Sequence, residues 1–224
     1  MTIKNGDIIK LSFTGKLEDG TIFETTSEEV AKENDMYEEG RGYGPLTIVV
    51  GSKVLIQGLE EELIGKKAGH ADTVKVSAEK AFGLRRPDLI ETIPSKKFSG
   101  EIEPGQHVEV DGRLGVIANI AGGRVKVDFN DPLAGKDIIY EYKIEDIIKD
   151  TNAKVYAIVK DYVGPEATFS LDDGTVTVHV PQAVALNEGW ISGKIVIARF
   201  LISFGDIKKV IFQESFSGED FTQE

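Results

Sequence analysis

Residues 46–64 read LTIVVGSKVLIQGLEEELI, from Leu46 to Ile64, and the order of features along this stretch decides what surrounds it. Thr47 to Val50 is a β-branched run that suits a strand, and Gly51 stops it. Val54 to Ile56 is a second apolar cluster, and Gly58 to Ile64 has the length and composition of a short helix. Strand, turn and helix therefore follow one another closely. Leu46, Leu55, Ile56 and Leu59 gather at the turn and the helix start, in greater number than one face of so small an element buries. Such side chains either fill a core, the commoner fate of apolar residues, or line a pocket. The stretch alone leaves both readings open.

Towards the N-terminus, Ile8, Leu11 and Phe13 open a strand that runs to the turn LEDG at Leu17 to Gly20, and Thr21 to Thr25 is its hairpin partner. On this hairpin Phe13 and Phe23 are expected to face each other as a cross-strand pair. Ser27 caps a short helix whose first turn carries Glu28 and Glu29, the sign that suits a positive helix end. Residues 34–44 are charged and Gly-rich and read as a loop. Towards the C-terminus, Thr73 to Val76 is a strand and Ala78 to Gly83 a loop.

The character changes at Leu84. Val108 to Val110, Leu114 to Ile120 and Val125 to Phe129 are β-rich runs joined by Asp111-Gly112 and Gly122-Gly123, which predicts a small antiparallel sheet with its own hairpins. Ile138 to Ile148 reads as one long strand. Residues 149–152 read as a linker, followed by a three-stranded meander over Lys154 to Asp161, Ala167 to Leu171 and Thr175 to Val180. Asn187 to Phe204 is predicted as a helix with Asn187 as its N-cap and Gly205 as its stop, and Ile207 to Phe216 as a last strand. The tail SGEDFTQE is expected to fray.

The 224-residue chain is 41% hydrophobic, enough for a real core. With 26 basic against 38 acidic residues its net charge is −12, which argues against a nucleic-acid backbone binder. It has no cysteine, so disulfides, thiol catalysis and Cys-ligated zinc are excluded. His70, His107 and His179 are scattered without ligand spacing, and neither a metal nor a cofactor is expected. The N-terminus alternates as a strand does, and no apolar run approaches a membrane span, so a cytoplasmic protein without membrane contact is expected.

Three blocks, SFTGKLEDGTIFETT (Ser12 to Thr26), PLTIVVGSKVLIQGLEEEL (Pro45 to Leu63) and AFG (Ala81 to Gly83), resemble in order and spacing the signature blocks of FKBP-type peptidyl-prolyl cis-trans isomerases. An added module after AFG, followed by LAGKDIIYEYKI (Leu133 to Ile144), resembles the insert-in-flap arrangement of SlyD-like members, and the acidic last segment resembles the long archaeal branch. The resemblance implies an α+β protein: an FKBP-type antiparallel sheet wrapped on a short helix, a small β-rich inserted domain and a separate α+β C-terminal domain. Residues 1–83 and 132–149 would form the isomerase domain, 84–131 the chaperone-like insert, and 152–224 the C-terminal domain.

It also places Phe13, Phe23, Leu46, Leu55, Ile56, Leu59, Phe82 and Tyr140 around the prolyl ring, with the Ile56 N–H on the substrate carbonyl and Glu24 where the family usually has aspartate. Leu59 stands where an aromatic floor is frequent, and Phe13 and Phe82 where tyrosine is common. In the insert, Leu89, Ile90, Ile93, Phe98, Val108, Val110 and Val116 are the exposed-apolar candidates for holding unfolded chains. Asn130-Asp131 stands where the family often has Asn-His.

The chemistry implied needs neither nucleophile nor metal. The barrier to rotation, about 18–20 kcal/mol, is lost amide resonance. The twisted form carries less charge separation than the planar one, so a water-poor apolar pocket favours it. The expected partners are unfolded or partly folded chains with X-Pro bonds, and a second copy of the chain through the C-terminal domain, because Trp190 to Phe204 carries more apolar residues than one packed face requires. The competing reading is a folding chaperone or binding scaffold whose isomerase site has decayed.

Overall fold

The computed structural model describes residues 2–216; the expected fraying of the tail SGEDFTQE lies outside them. The chain divides into two compact units, one made of the residues up to Val74 together with those from Tyr140 onward, the other of Lys75–Ile139. Both are built mainly from antiparallel pairings and few helices, an α+β architecture.

In the first unit, β1 (Ile8–Leu17) buries Ile9, Leu11, Phe13 and Gly15, every second residue, as a strand with one covered face must. It pairs on one side with β2 (Ile22–Thr25) and, nearer its start, with β3 (Leu46–Val49), both antiparallel. Between these two lies α1 (Glu28–Glu33), whose Ser27 cap accepts a hydrogen bond from Val30 N–H at 3.3 Å. The helix α2 (Gln57–Leu63) turns Leu59 and Leu63, one helical turn apart, wholly inward. The sheet is completed by β4 (Ala71–Val76) and β9 (Ile138–Ile148), in the order β2-β1-β9-β4. Tyr140, Tyr142 and Ile144 of β9 alternate inward.

The second unit holds a four-stranded sheet. Its strands are β5 (Ile90–Pro94), β6 (His107–Val110), β7 (Arg113–Ala121) and β8 (Arg124–Asp128), in the order β5-β8-β7-β6. Asp111-Gly112 and Gly122-Gly123 all have positive φ, the backbone that two-residue hairpin turns demand. Ile93, Val110, Ile117, Val125 and Val127 form its core. The Asp128 carboxylate is buried, paired with Arg85 and bonded by Asn130 N–H and Nδ2–H. Asn130 in turn clasps the Arg86 backbone, accepting from its N–H at 2.7 Å and donating to its carbonyl at 3.0 Å.

The C-terminal segment departs from the meander expected of it. Residues 154–161 are not a strand: α3 (Thr151–Ile158) starts where a linker was expected, capped by Asp150 accepting from Ala153 N–H at 2.8 Å, and a wider turn follows over Val159–Val163. The β-branched Val155, Ile158 and Val159 suggest a strand by propensity, but burial of all three against neighbouring elements outweighs it. Next come β10 (Thr168–Asp172) and β11 (Thr175–His179), an antiparallel hairpin, then α4 (Gln182–Ala185) and α5 (Trp190–Ser203). Asn187 is not the cap of α5; its carboxamide oxygen accepts from Gly189 N–H, and Gly189 occupies the cap position. The helices carry the chain back so that β12 (Lys209–Gln213) lies parallel to β11.

This segment shares a buried cluster with the first sheet: Ile8 of β1 and Val49 of β3 pack with Val155, Val159, Val176 and Leu201. Lys10 on β1 pairs with Asp161 at 2.9 Å. Among the described residues no helix is long and apolar enough to cross a membrane.

Candidate active site

Tyr140, 2% exposed, is the centre of an aromatic group drawn from distant parts of the chain. Phe13 on β1 meets it edge-on at a centroid distance of 5.7 Å, and Phe23 on β2 does so at 6.1 Å, the arrangement favoured by ring quadrupoles. The two phenylalanines are not a cross-strand pair. The register sets Thr14 against Thr25 and Gly15 against Glu24, a bulge follows at Gly15/Lys16, and the partner of Phe13 is Thr26, whose hydroxyl accepts from Phe13 N–H at 3.0 Å. The two rings are linked through Tyr140.

The Tyr140 hydroxyl donates to the Glu24 carboxylate. Burial, and then the adjacent carboxylate, push the phenol's pKa far above its ordinary value, so it remains a neutral donor. The Glu24 carboxylate is thereby oriented beside the rings. Phe13, Glu24, Thr26, Arg41, Gly44 and Leu46 line a cavity of about 90 Å³ here. Leu46 is 42% exposed at its rim.

The remaining expected residues fall into three groups. Leu55 and Ile56 are half-buried ahead of α2; the Ile56 carbonyl accepts from the N–H groups of Leu59 and Glu60, while its own N–H meets no acceptor among the described residues. Leu59 is fully buried beside Leu63 and presents no surface. Phe82, half-buried after a tight turn over Ala78–Lys80, belongs to the second unit. In that unit Ile93 and Val110 were expected to be exposed but form the core, and Phe98 and Val108 pack against it. Leu89, Ile90 and Val116 are half-buried, whereas Leu114, not singled out from the sequence, is 76% exposed.

Two further residues escaped the sequence reading. Arg41 comes from a loop without periodicity, which offers no signal. Gly15 lies within a strand, the signal of close approach: a Cβ there would stand 2.7 Å from Phe23 Cζ and 3.0 Å from both Glu24 Cγ and Tyr140 Cε1.

An α+β sheet carrying an aromatic recess with one oriented carboxylate defines a protein that can enclose a small apolar ring and act on it through shape, desolvation and a fixed charge. Comparison with known proteins makes the class specific. The sequence profile of the FKBP-type peptidyl-prolyl cis-trans isomerases matches residues 1–109, that of the FKBP26 IF domain residues 94–133, and that of the FKBP26 C-terminal region residues 151–217. The short-type peptidyl-prolyl cis-trans isomerase of Methanocaldococcus jannaschii is 38% identical over 148 residues, covering 65% of this chain and 94% of that one. The FKBP-type 16 kDa peptidyl-prolyl cis-trans isomerase of Escherichia coli is 32% identical over 153 residues, with 65% and 94% covered. SlyD of Vibrio cholerae is 29% identical over 150 residues, with 64% and 68% covered. The chain belongs to the FKBP-type peptidyl-prolyl cis-trans isomerase family. It is an enzyme of that type carrying an IF domain.

Proposed function

We propose that the protein accelerates X-Pro isomerisation in folding cytoplasmic polypeptides, holding them through the inserted domain while the recess around Tyr140 turns the bond. The observation that carries this is the pair of edge-on contacts of Phe13 and Phe23 with Tyr140, beside the carboxylate that the Tyr140 hydroxyl fixes. Apolar walls favour the less polar twisted amide over the planar one. The unsatisfied Ile56 N–H is the donor for the substrate carbonyl, with Leu46 and Leu55 as rim contacts and Leu59 as support beneath.

In the insert, Leu114 with the half-buried Leu89, Ile90 and Val116 offers apolar surface to clients, Phe98 and Val108 contribute partly, and Ile93 and Val110 hold the module together. The domain limits 1–83 with 132–149, 84–131 and 152–224 are part of this reading. It is tested by the refolding of a protein limited by prolyl isomerisation, uncatalysed over about 10–100 s, alongside a proline tetrapeptide. Replacing residues 84–131 by a short linker should slow the protein reaction far more than the peptide reaction. Equal loss on both would remove client binding from the insert, and absence of any acceleration of refolding would favour a chaperone without catalysis.

The C-terminal segment is proposed to pair two copies of the chain. Ile191, Ile195, Val196 and Ile202 of α5 are all exposed, a larger apolar surface than isolated side chains require. Light scattering should give twice the chain mass, and Ile195→Glu should halve it. A monomeric wild type would refute the pairing.

A further inference from the structure

We infer that the C-terminal segment supplies one wall of a second substrate subsite, which takes the extended residues flanking the target proline in the same polypeptide. This rests on the reading that the recess beside Phe13 and Tyr140 receives the proline. That cavity, about 90 Å³, is too small for more than one side chain. Next to it runs a cleft of about 380 Å³, within the roughly 300–1,000 Å³ of ligand sites. The two share Gly42, Gly44 and Leu46, so a chain seated in one continues over Leu46 into the other.

One side of the cleft is the strand β3 and the loop before it, and the other is Asp161 and Tyr162 from the turn after α3. Among the described residues β3 pairs only with β1, which leaves its second edge without a strand. An extended peptide is the natural occupant of such an edge. The Tyr162 hydroxyl stands 3.5 Å from the Thr47 carbonyl, at the outer limit of a hydrogen bond, so it gives way at little cost. The Thr47 hydroxyl is buried and has no partner.

The walls also indicate what the flanking residues are. Leu46 and Val54, 42% and 54% exposed, offer uncovered apolar surface on the rim. The Asp161 charge is taken up by Lys10, so the cleft carries no free charge of its own wall. The Tyr162 ring is braced edge-on by Phe200 at 5.5 Å and is therefore fixed before substrate arrives. The subsite suits apolar residues in an extended chain.

The test uses the full chain and two proline peptides, a tetrapeptide and the same sequence lengthened by apolar residues at both ends. Val54→Glu, at an exposed site, and Tyr162→Ala should each raise KM for the long peptide about tenfold, the loss of about 1.4 kcal/mol, with kcat and the tetrapeptide rate unchanged. Tyr162→Phe, which keeps the ring, should restore most of the affinity. Equal effects on both peptides, or none with Val54→Glu, would overturn the subsite. Failure of the underlying reading shows separately, as a tetrapeptide rate that Phe13→Ala leaves untouched.

Discussion

Gly15→Val should abolish most isomerase activity while the chain stays folded. Gly15 lies on β1 opposite Glu24, and its backbone is not among those with positive φ, so a side chain meets no conformational barrier. The obstacle is space. An ideal Cβ would lie 2.7 Å from Phe23 Cζ and 3.0 Å from Glu24 Cγ and Tyr140 Cε1, all three side-chain atoms of the recess. Tyr140 is locked in the core, so Phe23 and Glu24 must swing outward, breaking the edge-on contact and the hydrogen bond together. Overpacking of this kind costs roughly 1–3 kcal/mol of stability, which a domain of this size tolerates. Catalysis suffers more, because a displacement of about 1 Å in a reacting site is worth on the order of a hundredfold. The measurement is kcat/KM on a proline tetrapeptide, with far-UV circular dichroism as the check on folding. Alanine, lacking the γ-methyls, should lose about tenfold, and a fully active valine variant would mean that these side chains do not form the catalytic wall.

How far the residues themselves disclose this arrangement depends on where local and distant forces agree. The β1 and β2 hairpin, β3 and α2 are legible because period-two burial, the Gly51 stop and the short apolar helix all point the same way. The Phe13 and Phe23 relation is misread because Gly15 pairs with Glu24 and Lys16 with Ile22, which leaves Phe23 as the extra residue of a bulge on β2, and nothing local announces it. Tyr140 lies 116 residues from Glu24 along the chain, so only the family resemblance brings it to the site. The hairpin-linked strands β6, β7 and β8 of the insert are legible, but β5, which ends at Pro94, is not, nor is the face of each that lies inward, and Ile93 and Val110 exchange roles with Leu114. In α3 the one dissenting signal was Asp150, a cap residue in front of a β-branched run.

Ending the chain at residue 150 should lower the thermal midpoint of what remains, although two relatives are covered to 94% of their length by matches to only 65% of this chain. A C-terminal domain hung on a linker would leave the midpoint unchanged. Here the cap of α3 follows directly on β9, and the buried cluster of the C-terminal segment includes Ile8 and Val49 from the first sheet, 0% and 4% exposed. Truncation uncovers both, at about 1.5–3 kcal/mol for each large aliphatic side chain, or roughly 3–6 kcal/mol together. At about 2–4 °C per kcal/mol for a domain near this size, the midpoint falls by roughly 6–24 °C. Polar replacements at the two uncovered positions, Ile8→Thr and Val49→Thr, should recover solubility of the truncated chain but not the full midpoint, because β1 still loses the neighbours that brace it. Differential scanning calorimetry of both truncated forms against the full chain decides the matter. An unchanged midpoint would make the C-terminal segment an independent appendage, and the shared cluster around Ile8 and Val49 would then contribute nothing to the stability of the isomerase sheet.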